Sequence, residues 1–310
     1  SKSKSYAKER VIAKWYNDAQ ELINDEDVNA VYIATPPSSH ATYAIMSMKA
    51  GKPVYIEKPM AVTYEECCRI NRISQETGIP CFVAYYRRYL PYFLKVKSLV
   101  EEGAIGNVSL RRQRQMCIRD SPYFLKVKSL VEEGAIGNVI NIQIRFAQPP
   151  RDLDYNKENL PWRVQPDIAG GGYFYDLAPH QIDILQDMFG YILEANGYKS
   201  NSGGLYSAED TLSACFQFDS GLVGSGSWCF VAHESAREDR IEIIGDKGMI
   251  CFSVFTYDPI ALHTERGREE IPVENPIYVQ QPLIQAVVDH LLGKSICNCD
   301  GESATLTNWV

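Results

Sequence analysis

Three short apolar runs, separated by two amphipathic stretches, constrain this chain more than any other feature. VNAVYIAT (28–35), PVYIE (53–57) and IPCFVAY (79–85) are almost continuously apolar. Such runs fit strands covered on both faces, as in a parallel sheet, better than half-exposed strands that alternate polar and apolar residues. The stretch from about His40 to Ala50 reads as a helix with Ser38 or Ser39 as its cap and Gly51 at its end. Thr63 and Glu66 form a capping box ahead of YEECCRINRISQET, which Gly78 closes, and Asp18 with Glu21 does the same ahead of AQELIN. The alternation predicts the second half of a doubly wound α/β domain.

Past residue 139 the pattern changes. INIQIRF, TLSACFQF, LVGSGSWCF, RIEIIG and MICFSV are strand candidates, joined by turns such as Asp219-Ser220-Gly221 and Gly245-Asp246-Lys247-Gly248. Only one strong helix, about 173–189, interrupts them, so the predicted sheet is open and mostly antiparallel. An open sheet must cover its second face, and a second copy of the chain is the expected partner, as a homodimer or homotetramer.

Composition narrows the class of partner. A chain of 310 residues suggests about two domains. Its net charge of −8 argues against nucleic acid, and no apolar run reaches the roughly 20 residues of a membrane span. Nine cysteines without a CxxC pair fit reduced thiols in a cytoplasmic protein, although an export signal ahead of Ser1 would not be visible. Cys297 and Cys299 lack further ligands nearby in sequence, so no metal is expected.

The chain carries an undiverged repeat. PYFLKVKSLVEEGAIGNV occurs at 91–108 and again at 122–139, with SLRRQRQMCIRDS (109–121) between. Repeat architectures need at least three units. Two identical copies instead point to a recent duplication or a joining error, with the basic insert as read-through. Removing 31 residues restores one continuous reading. The domain division expected is therefore 1–88 for the end of the α/β domain, 89–139 for a duplicated linker helix around the insert, and 140–310 for an α+β domain.

Two segments carry chemistry. Glu57-Lys58-Pro59 ends an apolar strand, where open α/β sheets bind ligands; read alone it is also a common solvated turn. In GGGYFYDLAPHQIDILQDMFG (170–190), Asp176 and His180 are four apart and share a helix face. Histidine is the natural base near neutral pH, and a neighbouring carboxylate can orient it; the pair could equally just support the helix surface. Pro179 predicts a bend or an irregular turn.

These two segments, with ATPPSSH (34–40), VAYYRRYLPYF (83–93), PWR (161–163) and IEIIGDKGMICF (241–252) in the same order, closely resemble the Gfo/Idh/MocA family of nicotinamide-dependent sugar and polyol oxidoreductases. The resemblance implies a Rossmann-type domain binding NAD or NADP, followed by an α+β substrate domain. It places Thr35, Pro36 and Pro37 at the nicotinamide ribose and diphosphate, and His40 near the cofactor or as a cap. It places Glu57, Lys58 and Pro59 at the nicotinamide ribose, with Lys58 also reaching the reacting hydroxyl. Arg87 matches a cofactor- or substrate-side arginine, or a surface salt bridge. Trp162 and Arg163 match a segment beside cofactor or substrate. His180 would be the general base, Lys58 the group stabilising the alkoxide, and Asp176 the group holding an adjacent hydroxyl and the imidazole. No GxGxxG occurs in the chain, and the family's phosphate-binding turn would lie upstream of Ser1, as a truncation. The competing readings are a redox-neutral NAD-dependent glycosidase of the same fold, a sugar sensor, and an inactive truncated member.

Overall fold

The computed structural model describes residues 2–105 and 138–310. The chain divides into two units, Ser1–Ala84 with Asn298–Trp309, and Tyr85–Cys297 with Val310. The insert 109–121 and the second copy of the repeat up to residue 137 lie outside the described residues.

In the first unit, β1 (Val31–Ile33), β2 (Val54–Ile56) and β3 (Cys81–Val83) pair in parallel in the order β1-β2-β3. Val31, Ile33, Val54, Ile56 and all of β3 are buried, which is why these runs carry so few polar residues. Helices α1 (Lys2–Glu9) and α2 (Ala19–Asn24) precede the sheet, and α3 (His40–Lys49) and α4 (Tyr64–Thr77) are its crossovers. The expected caps form with adjustments. Thr63 Oγ1 accepts the Glu66 amide at 3.2 Å, while the Glu66 carboxylate accepts from Val62 N at 3.3 Å and not from Thr63. Gly78 closes α4 at φ 67°, a left-handed conformation that side chains rarely adopt. Asp18 caps α2 through the Gln20 amide at 2.7 Å.

The second unit holds an eight-stranded sheet among the described residues. Its strands are β4 (Val139–Ala147), β5 (Ile192–Ser200), β6 (Thr211–Phe218), β7 (Val223–Cys229), β8 (Glu238–Gly245), β9 (Gly248–Phe252), β10 (Ile260–Thr264) and β11 (Gly267–Ile271), ordered β11-β10-β9-β8-β4-β7-β6-β5. Only the β4–β7 pair is parallel. Strand β4 shows the expected alternation, with Ile142, Ile144 and Phe146 buried and Gln143 and Arg145 exposed. The unit's helices include α5 (Pro91–Glu101), α6 (Pro166–Ala169), α7 (Tyr173–Phe189) and α8 (Gln281–Leu291). Ala178, Ile184, Leu185 and Phe189 of α7 join Phe216, Phe218, Trp228 and the β8–β9 isoleucines in one core. Trp228 Nε1 donates to Gln181 Oε1 at 2.7 Å, giving the buried indole a partner.

Three observations depart from the sequence reading. Strands β5, β10 and β11 carry little apolar alternation and were not expected. In β5 Leu193 and Tyr198 are 59% and 89% exposed, and backbone pairing with β6 holds the strand. Helix α7 runs unbroken through Pro179. Finally, helix α9 (Gly301–Trp309) packs on α4 of the first unit, and Cys299 O accepts from Val83 N at 2.9 Å, so residues 298–309 belong with the α/β domain and not with 140–297.

The first copy of the repeat is α5, with Tyr92, Phe93, Val96, Leu99 and Val100 buried. Its end and the end of the second copy meet at one turn. Ile105 O accepts from Lys247 N at 3.3 Å, and Asn138 O accepts from Asp246 N at 3.0 Å. In either copy of GAIGNV, Ile and Asn are separated by a single glycine, which suits two carbonyls engaging adjacent amides. A chain lacking residues 106–136 is therefore expected to keep its fold and to melt no lower than the parent. Shortening the closed loop contributes on the order of 1–2 kcal/mol. A thermal melt checks this, and a lower midpoint would show that the duplicated segment supports the fold.

Candidate active site

The carboxyl ends of β1 and β2 carry the first cluster. Beyond β1 the chain reaches exposed Thr35 and Pro36, then buried Pro37 at the start of a single turn of 3₁₀ helix. Ser39 does not cap α3 through its side chain; its hydroxyl donates to Thr35 Oγ1 at 2.8 Å and Pro36 O at 3.0 Å. Beyond β2, Glu57 N donates to Ile33 O at 2.9 Å, and Tyr32 Oη donates to Glu57 Oε1 at 2.5 Å. Glu57 and Lys58 are half-buried, Pro59 is buried, and the Lys58–Pro59 bond is cis.

His40 joins the two loops. Its Nδ1 lies 3.0 Å from Pro59 O and its Nε2 2.7 Å from Thr35 O, with the residue 1% exposed. The side chain thus braces the loops after β1 and β2 from beneath. Burial holds the imidazole below the usual histidine range and prevails over the carbonyls, which favour the cation. The folded state therefore resists protonation more than the unfolded chain does. Stability is expected to be full above the unfolded value of about 6.5 and to fall as pH drops below it. His40→Asn should flatten that acid limb in melts from pH 7.5 to 5, and an unchanged slope would assign the pH dependence elsewhere.

Thr35, Glu57 and Lys58 together supply a hydroxyl, a carboxylate and an ammonium at the ends of parallel strands. This donor set suits the ribose hydroxyls and nicotinamide end of a dinucleotide. Among the described residues of the first unit, no GxGxxG turn follows a strand to offer backbone amides for its phosphates.

The second cluster surrounds the start of α7. Gly170 ends α6 at φ 91°, in the left-handed region. At Gly171 a Cβ would lie 2.8 Å from Glu209 Oε1, and at Gly172 it would collide with the Glu209 carbonyl, so both positions exclude side chains. The space is needed because the Glu209 carboxylate accepts the Gly172 amide at 2.9 Å, placing negative charge at the helix N-terminus.

One turn into α7, Asp176 forms an ion pair with Arg163, Nε to Oδ2 at 3.1 Å, and the Arg163 guanidinium stacks 4.5 Å over the Trp162 ring. The next turn presents His180, which is buried with its ring edge-on to Tyr85, Tyr86 and Phe255 at 6.2, 5.6 and 6.1 Å. Arg87 is 6% exposed and, among the described residues, makes no surface salt bridge. Its guanidinium sits over Phe255 at 4.6 Å, Tyr86 at 5.2 Å and Tyr257 at 5.5 Å, and donates to Val254 O at 2.6 Å and Tyr257 Oη at 2.5 Å. Arg87 and His180 thus share two walls, Tyr86 and Phe255.

The structure therefore brings Thr35, Pro36, Pro37, His40, Glu57, Lys58 and Pro59 together in the first unit. In the second it brings Trp162, Arg163 and Asp176 together, with His180 one turn further along α7. Sequence reasoning missed the residues that hold these groups. Asp239 Oδ2 accepts the amides of Val254, Phe255 and Thr256 at 3.0, 2.6 and 3.1 Å and so shapes the loop that carries Phe255. Arg88 donates to Asp183 on α7, 2.7 Å from Nε to Oδ2. Nothing in the local pattern of either carboxylate marks it, because each partner is distant in sequence.

Comparison with known proteins agrees with this architecture. Residues 1–85 match the oxidoreductase family with an NAD-binding Rossmann fold, and residues 124–251 match the GFO/IDH/MocA C-terminal domain. Oxidoreductase P35 of Formosa agariphila is 33% identical over 98% of this chain and 84% of its own length. The levoglucosan dehydrogenase of Pseudarthrobacter phenanthrenivorans is 28% identical over 76% of this chain, a match that spans only 58% of that enzyme. A crystal structure of levoglucosan dehydrogenase in complex with NADH and levoglucosan has a TM-score of 0.76 at 22% identity, covering 99% of this chain and 82% of the other, which is a likeness of fold. The parallel strand ends, the open mixed sheet, the two family matches and a relative one-third identical over 98% of the chain lead to one assignment: the chain belongs to the Gfo/Idh/MocA family of NAD(P)-dependent oxidoreductases.

Proposed function

We propose that the chain interconverts a secondary alcohol and a ketone on a sugar or polyol. The observation that carries this reading is the placement of His180 one helical turn beyond the Asp176–Arg163 pair, on a helix anchored at its start by Glu209. The sugar dehydrogenase among the relatives supports the substrate class. His180 takes the hydroxyl proton as general base. Lys58 lends positive charge to the developing alkoxide, and Glu57 with Thr35 binds ribose hydroxyls. Arg87 stiffens the aromatic wall beside the base. Thr35, Glu57 and Lys58 would hold the nicotinamide end of NAD or NADP, whose chemistry would be to take up the hydride of the carbinol carbon.

The test is NADH or NADPH formation, read by absorbance, across a panel of sugars and cyclic polyols. Steady accumulation of reduced cofactor supports the dehydrogenase reading. Glycoside cleavage without it would establish the redox-neutral glycosidase instead. A second copy of the chain is the proposed protein partner, seated on the open face of the eight-stranded sheet, where Ser213, Cys215, Gln217 and Ser227 are exposed.

A further inference from the structure

We infer that Asp239 is a positioning residue for the reaction: its carboxylate curls residues 253–258 into a clamp whose Phe255 ring fixes the imidazole of His180. The inference rests on the reading of His180 as the base.

The clamp is a closed turn of chain between β9 and β10, pinned at three places. At its neck the Tyr92 hydroxyl donates to Asp258 O at 2.7 Å and accepts the Ser253 amide at 3.1 Å, while the Asp258 amide donates to Ser253 Oγ at 2.8 Å. Tyr92 and Ser253 are both buried, so water does not compete for these groups. On one side Asp239 Oδ2 accepts three successive amides, those of Val254, Phe255 and Thr256. Three consecutive N–H groups reach one oxygen only if the backbone curls around it. On the other side the Arg87 guanidinium donates to Val254 O and to Tyr257 Oη. Val254 is thereby held from both sides, at its N–H by Asp239 and at its C=O by Arg87.

The turn is kept in a conformation it would not adopt unaided. Tyr257 has φ 56°, in the left-handed region that side chains rarely enter. Such strain persists only where the surroundings over-determine it, and it concentrates at functional sites. Here Tyr92 and Phe93 pack on the Tyr257 ring at 5.7 and 6.2 Å, and the Arg87 guanidinium lies 5.5 Å from its centre. What the clamp presents is Phe255, whose ring lies 5.2 Å from Phe146, 4.6 Å from the Arg87 guanidinium and 6.1 Å from His180. Asp239 is the register partner of Phe146 across β8 and β4, so the carboxylate that curls the loop and the ring that backs Phe255 stand on one face of the sheet. Asp239 Oδ1 is buried with no hydrogen-bond partner among the described residues, which costs stability. The residue is better accounted for by what Oδ2 holds in place. A base works only within a narrow geometry, and a displacement of about 1 Å can cost on the order of 10²-fold in rate.

The experiment reads the His180 ring directly by NMR, in the full chain with its five histidines ring-labelled with ¹³C, and His180→Ala identifies the signal to follow. Asp239→Ala is expected to shift or broaden that signal and to lower kcat roughly 10- to 100-fold with KM within a few-fold, read as NAD⁺ reduction with levoglucosan and scyllo-inositol. Asp239→Asn keeps an acceptor oxygen and should recover most of both readouts. Phe255→Leu breaks no side-chain hydrogen bond and should move the same signal even where Asp239→Ala fails to fold. In a Phe255→Leu background Asp239→Ala should add little, since the two act in series. A loop that served stability alone would lower the urea midpoint of Asp239→Ala and leave the His180 signal and the kcat of the folded protein at parental values. That result, or full additivity of the two substitutions, would overturn the inference. The expected changes in the His180 signal, with no NAD⁺ reduction by the parent protein, would keep the clamp and remove the reading of His180 as the base. Turnover by the parent, with the signal and kcat unmoved in Asp239→Ala, would do the reverse.

Discussion

Replacing His180 with alanine is expected to lower kcat by roughly 10²–10⁴-fold while leaving cofactor affinity within a few-fold, because the substitution removes a positioned base and leaves the residues at the ends of β1 and β2 unaltered. The ring sits among Tyr85, Tyr86 and Phe255, and α7 carries it at a fixed height above the Glu209-capped turn. Water entering the vacated space is a poorer base and has no fixed orientation, so KM should change less than kcat. Stopped-time assays of reduced cofactor, paired with NADH fluorescence titration, separate the two parameters. A His180→Ala protein that turns over at the parental rate would remove His180 from the reaction and return it to a packing role.

Removing Asp183 should produce the largest loss of stability. Its carboxylate is 1% exposed and grips Arg88, itself 7% exposed, through Nε and Nη2. A second carboxylate, Asp187, lies 3.9 Å from Arg88 and is already held by Lys97 at 2.7 Å. Asp183→Ala removes the carboxylate that grips a buried guanidinium and leaves the looser ion pair with Asp187, which Lys97 shares, and breaking a buried pair in this way costs about 3–5 kcal/mol. Urea unfolding followed by circular dichroism measures the loss. The double variant Arg88→Met, Asp183→Leu should recover most of it, since a well-packed apolar pair replaces a buried ion pair at little net cost. If Asp183→Ala unfolds at the parental urea concentration, the pair carries no net stability. Asp183 is also the residue three places beyond His180, and Arg88 follows Arg87 and Tyr86. The same ion pair therefore sets the base against its aromatic wall, and Asp183→Ala should lower turnover in the protein that remains folded.

Much of the architecture was legible in the sequence because it depends on local order. The apolar runs at 28–35, 53–57 and 79–85 had to be buried strands, and Thr63, Glu66 and Gly78 had to bound a helix, since each signal acts within a few residues. The same holds for α7, whose apolar stripe outweighs the single proline within it. The duplication was visible as a literal repeat. The candidate site was legible as residue types at strand ends and at i, i+4 spacing on a helix.

Tertiary structure decided what pairs with what. Arg163 and Asp176 are 13 positions apart and meet only because the 3₁₀ turn at Trp162 folds back on the start of α7. The cage around Arg87 depends on Phe255 and Tyr257, held by a carboxylate on β8, and no run of sequence places those residues beside position 87. Strand β5 and the return of α9 to the first unit rest on backbone pairing and on contacts across more than 200 positions. Sequence by itself determined the elements and the chemistry available to them, because propensity and periodicity are short-range. The partners of Arg87, Asp176 and His40 were decided only by the fold, because charge pairing and burial depend on distance in space.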